Sequence, residues 1–274
     1  MRRLEWRMLE VGHCLHLECG AVRGGRWRVC EFPSLVGLLR HPSRGWILFD
    51  TGYSQRFLDA TARLPGALYR CVTPVRFDPR QALALQLRAI GIGVSDIGAI
   101  VLSHFHADHV AGVLDFPNVP MFCSRAGWDA MRSRGRLQAL RLGLLPELAP
   151  AALADRVRFF EDAPAPAVAR ESDAGFRTHD LFGDGSLVAV ALPGHSPGHY
   201  GVRFTGEDDR EVMLIGDASW STRAIRENRP PPAWTTGWLG NTRLYRETLQ
   251  RLHGLSRSVP ELQLVPSHCP EWRP

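Results

Sequence analysis

Five short apolar runs, each ending on an acid or a histidine, most limit how this chain can fold. Trp46–Phe49 runs into Asp50-Thr51-Gly52, and Ile97–Leu102 ends at Ser103-His104. Leu187–Leu192 leads to Pro193-Gly194-His195, Val212–Ile215 to Gly216-Asp217, and Leu262–Val265 to Pro266-Ser267-His268. Runs of this length and composition, bounded by turn residues, read as buried strands. Sheets of α/β proteins place ligand sites beyond the carboxyl ends of their strands, so these five would carry polar side chains into the loops where such sites form.

Helical patterns lie between the runs. Asp78 is a candidate N-cap with Pro79 at the first helical position; Leu83, Leu87 and Ile90 share one face, and Gly91 closes the helix. A second helix begins near Asn241 and aligns Tyr245, Leu249 and Leu252. A third starts at Ser124 and carries Trp128, Met131 and several leucines toward 145. The Ala/Pro-rich stretch 161–170 and the run Pro230 to Pro232 read as surface loops. With no repeats or long linkers, residues 1–274 form one expected α/β domain with a helical insertion around 124–150.

Composition bounds the function classes. The chain has 274 residues, 45% hydrophobic and 22% charged, which supplies a sizeable core and excludes disorder, collagen and coiled coil. The net charge is +5, but all 33 basic residues are arginine, interleaved with acids and nowhere in a block of like charge. That surplus reads as background, and no nucleic-acid partner is expected. No run reaches the roughly 18 to 20 apolar residues of a membrane span. The opening residues lack the apolar region of a signal peptide, so the expected location is the cytoplasm. Six cysteines without a CxxC pair read as free thiols.

The chemistry concentrates in His104-Phe105-His106-Ala107-Asp108-His109. Chance would produce such a pattern in a chain of this composition on the order of once in a thousand. Imidazole nitrogens and carboxylate oxygens are suitable zinc donors, and catalytic zinc keeps three protein ligands and an open position. Six residues on one turn cannot surround a single ion: His104 and His106 can face one metal while Asp108 and His109 face another. His195, Asp217 and His268 at the other strand ends are the natural further ligands. The two oxygens of Asp217 can bridge ions about 3.5 to 4 Å apart.

These motifs, with Asp50-Thr51-Gly52 and Pro193-Gly194-His195-Ser196-Pro197-Gly198-His199, make the chain resemble the metallo-β-lactamase superfamily over nearly its whole length. The resemblance implies an αββα sandwich, two mixed β-sheets flanked by helices, and a site with two Zn(2+) per chain. His104, His106 and His195 would hold one zinc, Asp108, His109 and His268 the other, and Asp217 would bridge. Asp50 and His199 match positions that support ligands from behind. His13, His16, His41, His179 and His253 fit no motif position. Cys269, beside His268, reads as a small buried side chain, with an extra soft ligand as the alternative.

Within the superfamily the intact motif histidines resemble the hydrolytic, zinc-type members. Length and the Ile215-Gly216-Asp217-Ala218-Ser219 turn resemble the N-acyl homoserine lactone lactonases. The implied reaction is opening of a lactone or cleavage of an ester, without a protein nucleophile, by hydroxide bridging the metals. Asp108 would carry the proton to the leaving oxygen. Other hydrolases on this scaffold act on thioesters, phosphoesters or β-lactams, and that reading stays open. Where those lactonases often carry Tyr, this chain has Trp220, whose indole can polarise a carbonyl but cannot shuttle a proton. Ala107 stands at a position often aromatic there, which implies a roomier pocket. Phe32, Leu35 and the 124–150 insertion, with Arg132 and Arg136, are the other candidate pocket elements. Segment 231–238, with two tryptophans, is either a pocket lip or core. The expected partner is a small-molecule lactone or ester, and a homodimer is an open alternative to the monomer.

Overall fold

The computed structural model describes residues 2–274. The first sheet begins with β1 (Glu5–Leu17), β2 (Val29–His41) and β3 (Gly45–Phe49), antiparallel neighbours. A two-residue β4 (Val75–Arg76) extends its β1 edge. On the other side β3 is followed by β5 (Ile97–Val101), β6 (Met121–Cys123) and β7 (Val157–Phe159), all parallel. The order is β4-β1-β2-β3-β5-β6-β7. The second sheet holds β8 (Thr178–Asp180), β9 (Val188–Ala191), β10 (Tyr200–Thr205), β11 (Glu211–Gly216) and β12 (Gln263–Pro266), in the order β12-β11-β10-β9-β8. Its pairs are antiparallel except β11 and β12, whose parallel pairing follows a crossover containing the long helix Thr242–Ser258. Two mixed sheets flanked by helices are the architecture the sequence implies, and all five expected strands are present as β3, β5, β9, β11 and β12.

Side-chain alternation divides the interior into three apolar layers. Along β2, Leu35 and Leu39 face the second sheet and meet Val202, Phe204, Val212 and Leu214, whereas Val36 and Leu38 face the helices on the outer side. The third layer lies between the outer face of the second sheet, at Met213, Ile215 and Leu264, and Tyr245, Leu249, Leu252 and Leu255 of Thr242–Ser258. The sheets approach closely at Gly37, where a Cβ would stand 2.6 Å from Leu214 Cδ1.

Strand direction sets where the polar residues go. β10 is antiparallel to both β9 and β11, and β12 is parallel to β11, so β9, β11 and β12 run the same way. β3 and β5 are likewise parallel. The expected polar residues therefore emerge at one edge of each sheet.

Three local expectations need correction. Asp78 does cap a turn at Pro79–Gln81, but Ala82 is extended (φ −57°, ψ 141°), so the helix restarts as Leu83–Ala89 and Ile90 lies beyond it, 44% exposed. The insertion begins as expected, with Ser124 Oγ accepting from Gly127 N at 2.9 Å, yet Ser133 to Gly135 divide it into Arg125–Arg132 and Arg136–Arg141. Pro230 and Pro231 are buried. Prolines bring no N–H that burial would leave unpaired, and the Pro230 carbonyl accepts from Arg23 N at 2.9 Å. The 161–170 stretch is mostly exposed, as expected. Among the described residues no helix is long and apolar enough to cross a membrane.

A buried ion pair network lies on the outer face of the second sheet. Arg203, 2% exposed, donates to Asp173 at 2.9 Å and to Glu211 at 3.0 Å. Arg203→Ala removes the guanidinium from Asp173 while Glu211 keeps Arg170, and should cost about 3 to 5 kcal/mol of stability, read from denaturant unfolding.

Candidate metal centre

The strand ends gather into one cluster. After β5 the chain passes Ser103 to His104; His106 stands at the N-cap of the short helix Ala107–Val110, which carries Asp108 and His109. After β9, Gly194 adopts φ +131°, and a Cβ there would meet Tyr245 N at 2.2 Å, so only glycine lets this turn present His195 against the long helix. Asp217 follows β11, and His268 follows β12.

Two groups of ligand atoms result, each with its atoms within 4.8 Å of one another: His104, His106, His195 and Asp217, and Asp108, His109 and His268. His106 Nδ1 lies 2.9 Å from both His104 Nε2 and His195 Nε2. Asp217 spans the groups. Its Oδ2 is 3.2 Å from His195 Nε2, while its Oδ1 is 3.2 Å from His268 Nε2 and 3.3 Å from His109 Nε2. Asp108 Oδ2 lies 3.2 Å from His268 Nε2.

Hydrogen bonds behind the rings fix how they face. His109 Nδ1 donates to Asp50 Oδ2 at 2.7 Å, and Asp50 also accepts from Ser103 N at 2.7 Å and Ser103 Oγ at 2.8 Å. Because that hydroxyl gives its proton to Asp50, it accepts from His104 Nδ1 at 2.9 Å. His268 Nδ1 donates to the Pro33 carbonyl at 2.6 Å, and His106 Nε2 to the Leu142 carbonyl at 2.9 Å. His199 Nε2 accepts the Asp217 N–H at 2.9 Å, so its proton sits on Nδ1, facing the Leu192 carbonyl at 3.0 Å. Partners that take the outer ring protons leave the inner nitrogens of His104, His106, His109 and His268 with lone pairs toward the shared volume, the tautomers a metal needs.

Charge balance also fits a cation. All seven residues are 8% exposed or less. Burial pulls His104 and His195 well below the usual imidazole range, with neighbouring histidines adding to the effect at His104. Burial alone would push the Asp217 carboxyl up, but the facing imidazoles of His268, His109 and His195 hold it ionised. Burial would pull His109 down, yet Asp108, Asp50 and Asp217 raise it to about 10. His109 Nε2 and Asp217 Oδ1 are buried without a hydrogen-bond partner among the described residues. A buried nitrogen lone pair and a buried carboxylate oxygen without partners are costly in a protein interior. A divalent ion in each group would satisfy them, and the N/O donor set suits zinc.

The other sequence candidates separate. Phe32 and Trp220 meet edge to face, 6.5 Å between centroids, and Trp220 stands 5.8 Å from the His195 ring. Leu35 is instead 1% exposed in the layer between the sheets, where strand alternation directs it. Ala107, 0% exposed, packs in the layer outside the first sheet, because it lies on the inner face of its short helix. Cys269 Sγ is 3.3 Å from Thr222 Oγ1 and stands outside both ligand groups, as do His13, His16, His41, His179 and His253. Arg132 covers the Trp128 ring, and Arg136 pairs with Glu147 at 2.6 Å. Trp234 and Trp238 are 66% and 58% exposed on helix Ala233–Leu239, whose Thr236 is buried and bonds Thr242 Oγ1 of the long helix at 2.8 Å. Sequence reasoning missed Ser103 and the carbonyls of Pro33, Leu142 and Leu192. Ser103 was legible as the neighbour of His104; carbonyls carry no side-chain signal.

Asp50 holds φ +66°, a region asparagine tolerates and alanine does not. Asp50→Ala should therefore lower thermal stability and weaken zinc binding about 10- to 100-fold, whereas Asp50→Asn should keep the backbone. Chelator competition and thermal unfolding check both.

The family model for the metallo-beta-lactamase superfamily matches residues 31–268. A probable metallo-hydrolase of Mycobacterium tuberculosis is 31% identical over 207 residues, 74% of this chain and 61% of that protein's length. The chain is 25% identical over 252 residues to the N-acyl homoserine lactonase AttM of Azorhizobium caulinodans, covering 89% of this chain and 84% of that one. Among solved structures, an N-acyl homoserine lactone hydrolase with the product N-hexanoyl-L-homoserine at its catalytic metal centre superposes with a TM-score of 0.75 at 19% identity, over 99% of this chain and 95% of that one. AidC, a dizinc quorum-quenching lactonase, gives 0.66 at 18% identity, over 98% and 89% of the two chains. At such identities the structural likenesses establish the fold. With the sandwich, the strand-end cluster and a family match over most of the length in agreement, the chain belongs to the metallo-beta-lactamase superfamily.

Proposed function

We propose that this protein is a dinuclear zinc hydrolase that opens a lactone or cleaves an ester, with N-acyl homoserine lactones, the signals removed in quorum quenching, as the substrate class. The observation that carries the reading is Asp217, whose two oxygens face two separate sets of ligand atoms. His104, His106 and His195 would hold one ion, Asp108, His109 and His268 the other, and Asp217 both. Zinc in such a site polarises a carbonyl oxygen and brings the pKa of water down to about 7. The named lactonase relatives and the product-bound neighbours support the choice of substrate.

The chain's own groups do the rest. Asp50, Ser103, His199 and the Pro33 and Leu142 carbonyls hold the ligand rings and Asp217 in place, so little reorganisation is needed when a substrate enters. Phe32 and Trp220 form an apolar wall beside His195, suited to an uncharged portion of the substrate. Asp108 is the proton carrier. Burial opposes its ionisation, but His109 and His268 hold its pKa at about 2, so it starts as the anion. One carboxylate oxygen faces His268, and the other is the atom that would take up a proton and pass it to the leaving alkoxide.

Zinc-loaded protein should open acyl homoserine lactones across a chain-length panel, and chelation should abolish the activity. His106→Ala should lose bound metal and turnover while circular dichroism shows the fold retained; unfolding without any activity to lose would favour a purely structural metal. Asp108→Asn should lower kcat about 10²- to 10⁴-fold. If the panel stays unreacted while a thioester, phosphoester or β-lactam is cleaved, the substrate assignment falls and the hydrolase assignment stands.

A further inference from the structure

The indole of Trp220 does not point its N–H into open space. Trp220 Nε1 donates to Asp217 Oδ2 at 2.9 Å. That is the oxygen facing His195, while Oδ1, facing His109 and His268, has no hydrogen-bond partner among the described residues. We propose that Trp220 is a positioning residue for the metal centre: its N–H sets the Asp217 carboxylate across the two ligand groups and draws electron density from the oxygen on the His104/His106/His195 side. This rests on the dinuclear reading above.

Trp220 is itself firmly placed. Phe32 meets its ring edge to face at 65°, and His195 lies across it at 81°. Two residues further on, Thr222 N and Oγ1 each lie 3.3 Å from Cys269 Sγ, and Thr222 Oγ1 accepts from Trp272 Nε1 at 3.2 Å. The segment after Asp217 is thereby latched to the segment after His268. Both segments bear ligands, so the indole is held relative to both groups.

Two consequences follow. An N–H already engaged by a carboxylate is not free to polarise a substrate carbonyl, so the role expected of Trp220 from sequence passes to a contact behind the ligand. An oxygen that accepts a hydrogen bond gives less charge to a cation, so the two halves of the centre become unequal. The ion beside His104, His106 and His195 would be the more electron-poor of the pair, the better polariser of a carbonyl.

Two substitutions separate the N–H from the ring. Trp220→Phe keeps an apolar ring and removes the donor. Trp220→Gln removes the ring and keeps an N–H donor the same number of bonds from Cβ. In the full chain loaded with zinc or cobalt, Trp220→Phe should bind zinc about 10- to 100-fold more weakly in chelator competition and shift the cobalt absorption bands. Trp220→Gln should stay closer to the parent in both. Unchanged affinity and spectrum in Trp220→Phe, or loss in Trp220→Gln equal to that in Trp220→Phe, would overturn the proposal. These readouts need no substrate, so they stand even if no lactone is opened; a parent chain that bound no metal would overturn this inference and the dinuclear reading together.

Discussion

Two buried carboxylates and five buried imidazoles share one small volume, and that concentration of donors is the constraint around which the rest is organised. Asp108, Asp217, His104, His106, His109, His195 and His268 are each at most 8% exposed. Ionised groups removed from water are tolerated when opposite charge or a metal meets them. Here the facing imidazoles meet part of the charge, and a pair of cations would meet all of it. The supporting bonds from Asp50, Ser103, Pro33 and Leu142 aim lone pairs inward and leave the cation as their common partner.

The sandwich makes that concentration affordable in backbone terms. Parallel strands leave their carboxyl ends together, so loops from β3, β5, β9, β11 and β12 reach the same region without long excursions. Apolar layers on both faces of each sheet hold those ends rigid. Where the chain must turn sharply to present a ligand, left-handed backbone appears, at Asp50 (φ +66°) and Gly216 (φ +54°) as well as Gly194. Strain of this kind persists where surrounding structure over-determines it.

Much of this was legible in the residues themselves. The candidate metal donors were readable because they are side chains at motif spacing, and the five strands because burial on both faces produces unbroken apolar runs. The cap at Asp78 and the helix starts at Ser124 and near Asn241 were local signals and appear at those positions. Leu35 and Ala107 pack in apolar layers, a placement the residues alone did not give, because which way an apolar side chain faces is decided by the register of its strand or short helix. Ile90 was misplaced because the helix ends at Ala89, one residue short of it, and periodicity does not mark where a helix stops.

Sequence alone therefore determined the chemistry: which nitrogen and oxygen donors exist, and that strand ends would carry them. Tertiary structure decided their partners. That Asp217 divides its oxygens between two groups, that Trp220 spends its N–H on one of them, and that backbone carbonyls from residues as distant as Pro33 and Leu142 orient the rings are facts of three-dimensional proximity. A carbonyl is present at every residue, so its position along the chain carries no information until the fold brings it to a ring.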